Sequence, residues 1–182
     1  MHEPVLRVAT LADAEAIAAL MTTSAEALFP RFYDARQAAS AVRFVASLDE
    51  QLLTDGTYFV LETDGEPVGC GGWSRRDRLY TGSGEAQDDA RLLDPATEAA
   101  RVRAMFVRAD WTRKGMGRRI LEACEAAARA EGFTQLGLMA TLPGVPLYLA
   151  YRFRDLDDVE VEFPDGVTIA CRTMEMPIEG RA

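Results

Sequence analysis

From Val107 to Arg118 the chain reads Val-Arg-Ala-Asp-Trp-Thr-Arg-Lys-Gly-Met-Gly-Arg, the end of a strand, a glycine-bearing turn and the opening of a helix. Such a junction can hold an anion. The free N–H groups of the first helical turn point outward together, the helix dipole adds partial positive charge, and glycines let an oxyanion come close to the main chain. Arg113, Lys114, Arg118 and Arg119 surround the turn with cations. The Gly-Lys-Ser/Thr ending of a P-loop is missing, and Gly115-x-Gly117 alone does not complete a dinucleotide fingerprint. The stretch is either a site for a phosphate-bearing ligand or a tight helix entry with solvated arginines.

Other chemistries are poorly represented. The one histidine is His2, at a terminus that frays, which leaves no basis for a Ser-His-Asp triad, a Cys-His pair or a His-ligated metal. Cys70, Cys124 and Cys171 are widely spaced with no Cys-x-x-Cys, so neither a disulfide framework nor a metal site is expected. With 20 basic against 29 acidic residues the net charge is −9, which opposes a sequence-independent grip on nucleic acid or on an anionic membrane. No apolar leader and no run of about 18 apolar residues is present, and a reducing cytoplasm is the expected setting.

These residues must be positioned by a fold. At 182 residues, with 48% hydrophobic content, the chain has the length and the apolar material for one domain spanning 1–182. Val5 to Ala9 predicts a short strand, and Thr10 with Asp13 an acidic capping box for a helix whose apolar face is Leu11, Ala14, Ile17, Leu20 and Met21. Asp34 with Gln37 caps a second helix, with Ala38, Val42 and Val45 inward. The aromatic loop Phe29 to Tyr33 lies between them, serving helix packing or acceptor recognition, with Tyr33 the candidate contact. Tyr58 to Leu61, an Asp64-Gly65 turn and Val68 to Trp73 read as a hairpin. Residues from about 77 to 99 break the pattern and are expected to form a mobile insertion. Val102 to Val107, the helix Met116 to Ala130 and Leu136 to Ala140 make a strand-helix-strand unit whose crossover requires parallel strands. Val159 to Phe163, Pro164-Asp165-Gly166 and Val167 to Cys171 close the chain with a hairpin.

In this order of elements, and in Thr112 to Gly117, the sequence resembles the GCN5-related N-acetyltransferase (GNAT) superfamily, whose signature is Arg/Gln-x-x-Gly-x-Gly/Ala. Thr112 stands where Arg or Gln is usual. The resemblance implies an α/β fold with a mixed, mostly antiparallel twisted sheet flanked by helices on both faces. It also implies acetyl-CoA as co-substrate and no metal: Arg113, Lys114, Gly115, Met116, Gly117 and Arg118 would cradle the pyrophosphate, and main-chain groups of Met105, Phe106 and Val107 would pair with the pantetheine arm. Leu142 to Phe153 resembles the family's fourth helix, with Tyr148 at the tyrosine position near the CoA sulfur and Arg152 in place of the usual glycine. A phenol of pKa near 10 stays protonated at neutral pH, which makes Tyr148 the candidate general acid. Gly137 marks either a splay of the central strands or a bulge.

The family often carries a carboxylate on the fourth strand, where this chain has Arg101. Arg101 and Arg103 share a strand face by alternation and are candidate acceptor contacts or exposed ion-pairing residues; Arg75 and Arg76 carry the same two readings. Glu98 is the candidate base through water, and Asp77 the alternative. The expected activity is direct transfer of acetyl from CoA to a primary amine of a small molecule or peptide, with a homodimer left open. The rival is a non-catalytic acyl-CoA-binding module.

Overall fold

A computed structural model describes residues 2–78 and 91–179. The opening strand β1 (Val5–Val8) leads through a 3-10 turn into α1 (Ala14–Leu28). Asp13 reaches back to the Thr10 N–H at 2.8 Å, as the capping pattern predicts, but Leu11 lies on the 3-10 turn and is exposed, so the buried face of α1 is Ile17, Leu20, Met21, Ser24 and Ala25. In α2 (Ala35–Phe44) the capping box is complete: Gln37 N–H donates to Asp34 Oδ1 at 2.8 Å, and Asp34 N–H donates to Gln37 Oε1 at 3.2 Å. The short α3 (Glu50–Thr54), capped by Asp49, has no counterpart in the sequence reading.

Strands β2 (Tyr58–Thr63) and β3 (Glu66–Ser74) form the expected hairpin, with Asp64 (φ 52°) and Gly65 (φ 80°) both left-handed as a type I′ turn requires. After β4 (Ala100–Val107), α4 (Met116–Ala130) crosses to β5 (Gln135–Thr141), and α5 (Val145–Tyr151) leads to the closing pair β6 (Arg154–Glu162) and β7 (Thr168–Pro177). The seven strands form one sheet in the order β1-β2-β3-β4-β5-β7-β6, antiparallel except for the β4/β5 pair. One face carries the α1, α2 and α3 cluster, including Ile17, Met21, Ala41, Leu52 and Ile169. The other carries the α4 and α5 cluster, including Ile120, Leu121, Cys124, Leu136 and Met174. The expected helices on both faces are therefore present.

The segment expected to be a mobile insertion is tied down where it is described. Asp77 N–H donates to the Arg91 carbonyl at 3.0 Å, Leu93 N–H donates to the Arg75 carbonyl at 2.8 Å, and the Leu93 side chain is buried. Apolar Leu93 supplies the anchor that the polar stretch Thr81 to Asp89 lacks in sequence; that stretch lies outside the described residues.

Two helices end in the same way with different residues. At the end of α4, Phe133 N–H donates to the Ala128 carbonyl and Gly132 N–H to Arg129, with Gly132 at φ 90°. At the end of α5, Phe153 N–H donates to Tyr148 and Arg152 N–H to Leu149, with Arg152 at φ 97°. Both are Schellman caps, and Arg152 occupies the glycine position. The left-handed conformation costs an L-residue about 1–2 kcal/mol, more than the about 0.2–1 kcal/mol of exposed ion pairs such as Arg152 with Glu179. Arg152→Gly is therefore expected to stabilise the protein by about 1 kcal/mol, read as a higher midpoint in urea denaturation; an unchanged or lower midpoint would show that the arginine's contacts outweigh its backbone strain.

Candidate active site

The site originates in a seam. Parallel pairing of β4 with β5 is confined to Ala100 with Leu136 and Arg101 with Gly137; beyond these residues the strands part. Gly137 sits at the end of the paired part, and a Cβ there would come within 3.3 Å of the Arg101 guanidinium. Of the two readings of this glycine, the splay is the one observed.

A second irregularity lies on β4. Cys70 faces Phe106 and Gly72 faces Arg103, so β4 carries one extra residue there, and Ala104 adopts φ 50°. This is a β-bulge, and it breaks the strict alternation along β4. The hydroxyl of fully buried Tyr58, on β2, donates to the Ala104 carbonyl at 2.6 Å and holds the bulge from two strands away. Ser24 on α1 donates to the Val107 carbonyl at 2.7 Å and fixes the end of the same strand.

Between the parted strands opens a cavity of about 600 Å³. Val102 to Val107 form one wall, Met139 and Thr141 on β5 the opposite wall, and Tyr148 with Leu147 on α5 the floor. The start of α4 contributes Thr112, Arg113 and Gly115 to Arg118 to the lining, and the loop after α1 contributes Phe29, Arg31 and Phe32. Met105, Phe106 and Val107 are thus brought to one cavity with Arg113, Gly115, Met116, Gly117, Arg118 and Tyr148. Gly115 precedes α4 with φ 82° and nothing within 4 Å of where a Cβ would be, an open, left-handed entry. A Cβ on Gly117 would lie 2.6 Å from Leu147 Cδ2, so this glycine lets α4 and α5 close on each other. The Thr112 hydroxyl donates to the Ala109 carbonyl at 2.8 Å and braces the turn.

Other expected site residues are placed elsewhere. Lys114 is not on the lining; its ammonium lies 4.9 Å from the Trp111 ring centroid, a cation–π contact. Tyr33 is also off the lining: its hydroxyl donates to the Ala170 carbonyl at 2.8 Å and accepts from Leu142 N–H at 2.9 Å, so it ties the aromatic loop to β7 and to the end of β5. Glu98 does not reach the cavity either. Arg91 binds it bidentately and holds its carboxyl low, at about 2, a strong ion pair at the protein surface. Arg101 pairs with Asp77 at 3.0 Å at the closed end of the seam, while Arg103 lines the cavity, 2% exposed, and bonds Asp49 at 3.2 Å. Arg75 and Arg76 are held by Glu131 and Asp55.

Asp49 was missed in sequence although it does two things. One oxygen caps α3 through Gln51 N–H, and the other receives Arg78 and Arg103. A capping aspartate ahead of Gln51-Leu52-Leu53 was the available signal.

Tyr148 differs from the other described tyrosines. The hydroxyls of Tyr33, Tyr58 and Tyr151 are bonded to Ala170, Ala104 and Glu125 respectively, whereas among the described residues no partner is bonded to that of Tyr148. Burial pushes its pKa well above the ordinary 10, which keeps the proton on. No cluster of three or more metal-ligating side chains occurs among the described residues. None of their helices is long and apolar enough to cross a membrane.

The family profile "Acetyltransferase (GNAT) family" matches residues 18–151. No curated protein matches at the sequence level. Similar solved structures include a GCN5-related N-acetyltransferase from Rhodopseudomonas palustris, at 20% identity and TM-score 0.73, with 97% of each chain covered. The PaiA N-acetyltransferase of Thermoplasma acidophilum, solved in complex with coenzyme A, is 13% identical with TM-score 0.63, covering 97% of this chain and 99% of its own. The yncA protein of Salmonella typhimurium, solved with its cofactor acetyl-CoA, is 16% identical with TM-score 0.63, covering 100% of this chain and 97% of its own.

The bulge gives a direct test. Tyr58→Phe leaves the Ala104 carbonyl without its donor and is expected to cost about 1–3 kcal/mol, the penalty of a buried unsatisfied polar group, in chemical denaturation. No loss would mean that the bulge is held by the strand geometry alone.

Proposed function

Since the chain belongs to the GNAT acetyltransferase family, we propose that it transfers acetyl from acetyl-CoA to a primary amine of a small molecule or peptide, in the cavity between β4 and β5. The observation that carries this is the convergence on one cavity of an open helix N-terminus, two arginines, the main chain of a bulged strand and a largely buried tyrosine whose hydroxyl is unbonded among the described residues. The donor set suits the co-substrate. The first turn of α4 with Arg113 and Arg118 offers N–H groups and positive charge to a diphosphate, and the β4 main chain from Met105 to Val107 offers peptide groups to an extended amide-bearing arm.

Acetyl-CoA when bound supplies an activated acyl group whose sulfur can depart with the bonding electrons. The amine nitrogen would form the new C–N bond as the C–S bond breaks, and it would release a proton to solvent to become an amide. Tyr148 hands its proton to the departing sulfur and recovers one from solvent. A main-chain N–H of β4 would stabilise the charge that develops on the acetyl oxygen, a contribution of about 2.7–4 kcal/mol where single donors have been removed from other enzymes. The three cysteines are all free and buried, and desolvation raises the Cys70, Cys124 and Cys171 pKa values. This supports their acting as packing groups, direct transfer without a thiol relay, and a reducing, cytoplasmic setting.

Calorimetry with acetyl-CoA, followed by release of CoA thiol across a panel of amines, tests the reading: binding without thiol release would make the chain an acyl-CoA-binding module. Tyr148→Phe is expected to lower kcat by about 100-fold or more, with acetyl-CoA affinity little changed. Because burial raises the phenol pKa, deprotonation of Tyr148 should impose no alkaline fall in kcat below about pH 10. An unchanged kcat in the phenylalanine variant would reassign the tyrosine to packing.

A further inference from the structure

The loop after α1, tied through Tyr33 to β7 and to Leu142 just after β5, brings its own chemistry to the cavity lining. Phe29, Arg31 and Phe32 come from the loop after α1, Val45 from the end of α2, and Met139 from β5. The loop is fixed at both sides: Phe29 is buried and packs edge-on against Tyr33 at 6.0 Å, and the Tyr33 hydroxyl bridges Ala170 and Leu142. What this anchored loop presents is Phe32, 46% exposed, and the guanidinium of Arg31, which among the described residues has no ion pair. An aromatic ring and an unneutralised cation thus border the same space.

Among the described residues the charged residues on the lining are Arg31, Arg103, Arg113 and Arg118, with Asp49 bonded to Arg103 and Glu122 to Arg118. The net charge of −9 draws cations toward the protein as a whole, but screening over about 8 Å confines that field to the exterior, and contact with the lining decides what enters. Arg113 and Arg118 stand at the α4 end, suited to the co-substrate phosphates. Arg31 comes from a separate element, the loop after α1, which also brings Phe29 and Phe32 to the lining.

Resting on the acetyl-transfer reading, we propose that the acceptor is an apolar or aromatic α-amino acid, whose carboxylate is bound by Arg31 and whose side chain lies against Phe32, Val45 and Met139. A guanidinium fork matches a carboxylate bidentately, which fixes the α-amine at a set distance from the anchor. A zwitterion also enters an arginine-lined space more easily than an amine that brings positive charge alone.

The test compares L-phenylalanine, L-phenylalaninamide and 2-phenylethylamine as acceptors, by release of CoA thiol at saturating acetyl-CoA, in the wild type, Arg31→Gln and Phe32→Ala. Phenylalanine is expected to have a kcat/KM at least tenfold above the two carboxylate-free amines. Arg31→Gln should bring that ratio toward one, mainly through the KM of phenylalanine, with the KM of acetyl-CoA within twofold of wild type. Phe32→Ala should lower the preference for phenylalanine over glycine. Equal use of phenylalaninamide or 2-phenylethylamine, a raised acetyl-CoA KM in Arg31→Gln, or no turnover of any amino acid while other amines release CoA thiol would each overturn the amino-acid assignment and leave acetyl transfer standing. Absence of acetyl-CoA binding would remove both.

Discussion

The site depends on two adjacent strands failing to stay paired. Parallel neighbours in a sheet ordinarily bond along their length, and a strand that leaves its partner exposes main-chain polar groups that must be satisfied in another way. Here β4 and β5 pair at Ala100 and Arg101 and then diverge. Each remains paired on its outer side, β4 with β3 and β5 with β7, so the gap lies between two strands that are each held in the sheet. Helices α4 and α5 pack across one face of the seam, and the loop after α1 contributes Phe29, Arg31 and Phe32 to the cavity lining. The fold stabilises a gap lined by backbone, and binding chemistry follows from what a backbone offers: peptide donors and acceptors for an amide-bearing chain, and a helix start for a phosphate.

What could be read from the sequence follows how local each feature is. The Gly115 turn, the Asp34-Gln37 box and the Asp64-Gly65 hairpin are each specified within a few residues, and each stands where the pattern predicts. The β4 bulge depends on a bond from Tyr58, far away in the chain, to a carbonyl that any residue at position 104 would have. No periodicity signals it, and strict alternation along Val102, Ala104 and Phe106 points the wrong way. Arg101 and Arg103 illustrate the same limit. They are two residues apart on one strand, yet Asp77 fixes one at the closed end of the seam and Asp49 fixes the other at the cavity, and neither partner is close in sequence.

Tyr33 and Glu98 show why residue type alone assigns sites poorly. Both have the chemistry of a functional residue, and both already have strong partners: Tyr33 bonds two main-chain groups, and Glu98 is clamped by Arg91. A side chain whose bonding capacity is met within the fold has little left for a ligand. Tyr148 is the opposite case, buried in the cavity floor with its hydroxyl not bonded to any described residue.

The position of Tyr148 also explains the strain at Arg152, the residue that follows the end of its helix. Helix α5 spans Val145–Tyr151, barely two turns, which is too short to be stable by itself. It is held by Pro at its start, by Leu147 packed against Gly117, and by the Schellman bonds from Arg152 and Phe153 back to Leu149 and Tyr148. The bond to the Tyr148 carbonyl requires the left-handed turn at Arg152, so the residue that aims its hydroxyl into the cavity is fixed by the same cap that strains its neighbour. Glycine would make that turn at lower energy; arginine adds contacts to Glu125 and Glu179 and lies 5.9 Å from the Tyr151 ring centroid. The cap therefore trades backbone ease for side-chain tethers on the rear of α5, where Tyr151 bonds Glu125 of α4 and locks the two helices that frame the cavity floor.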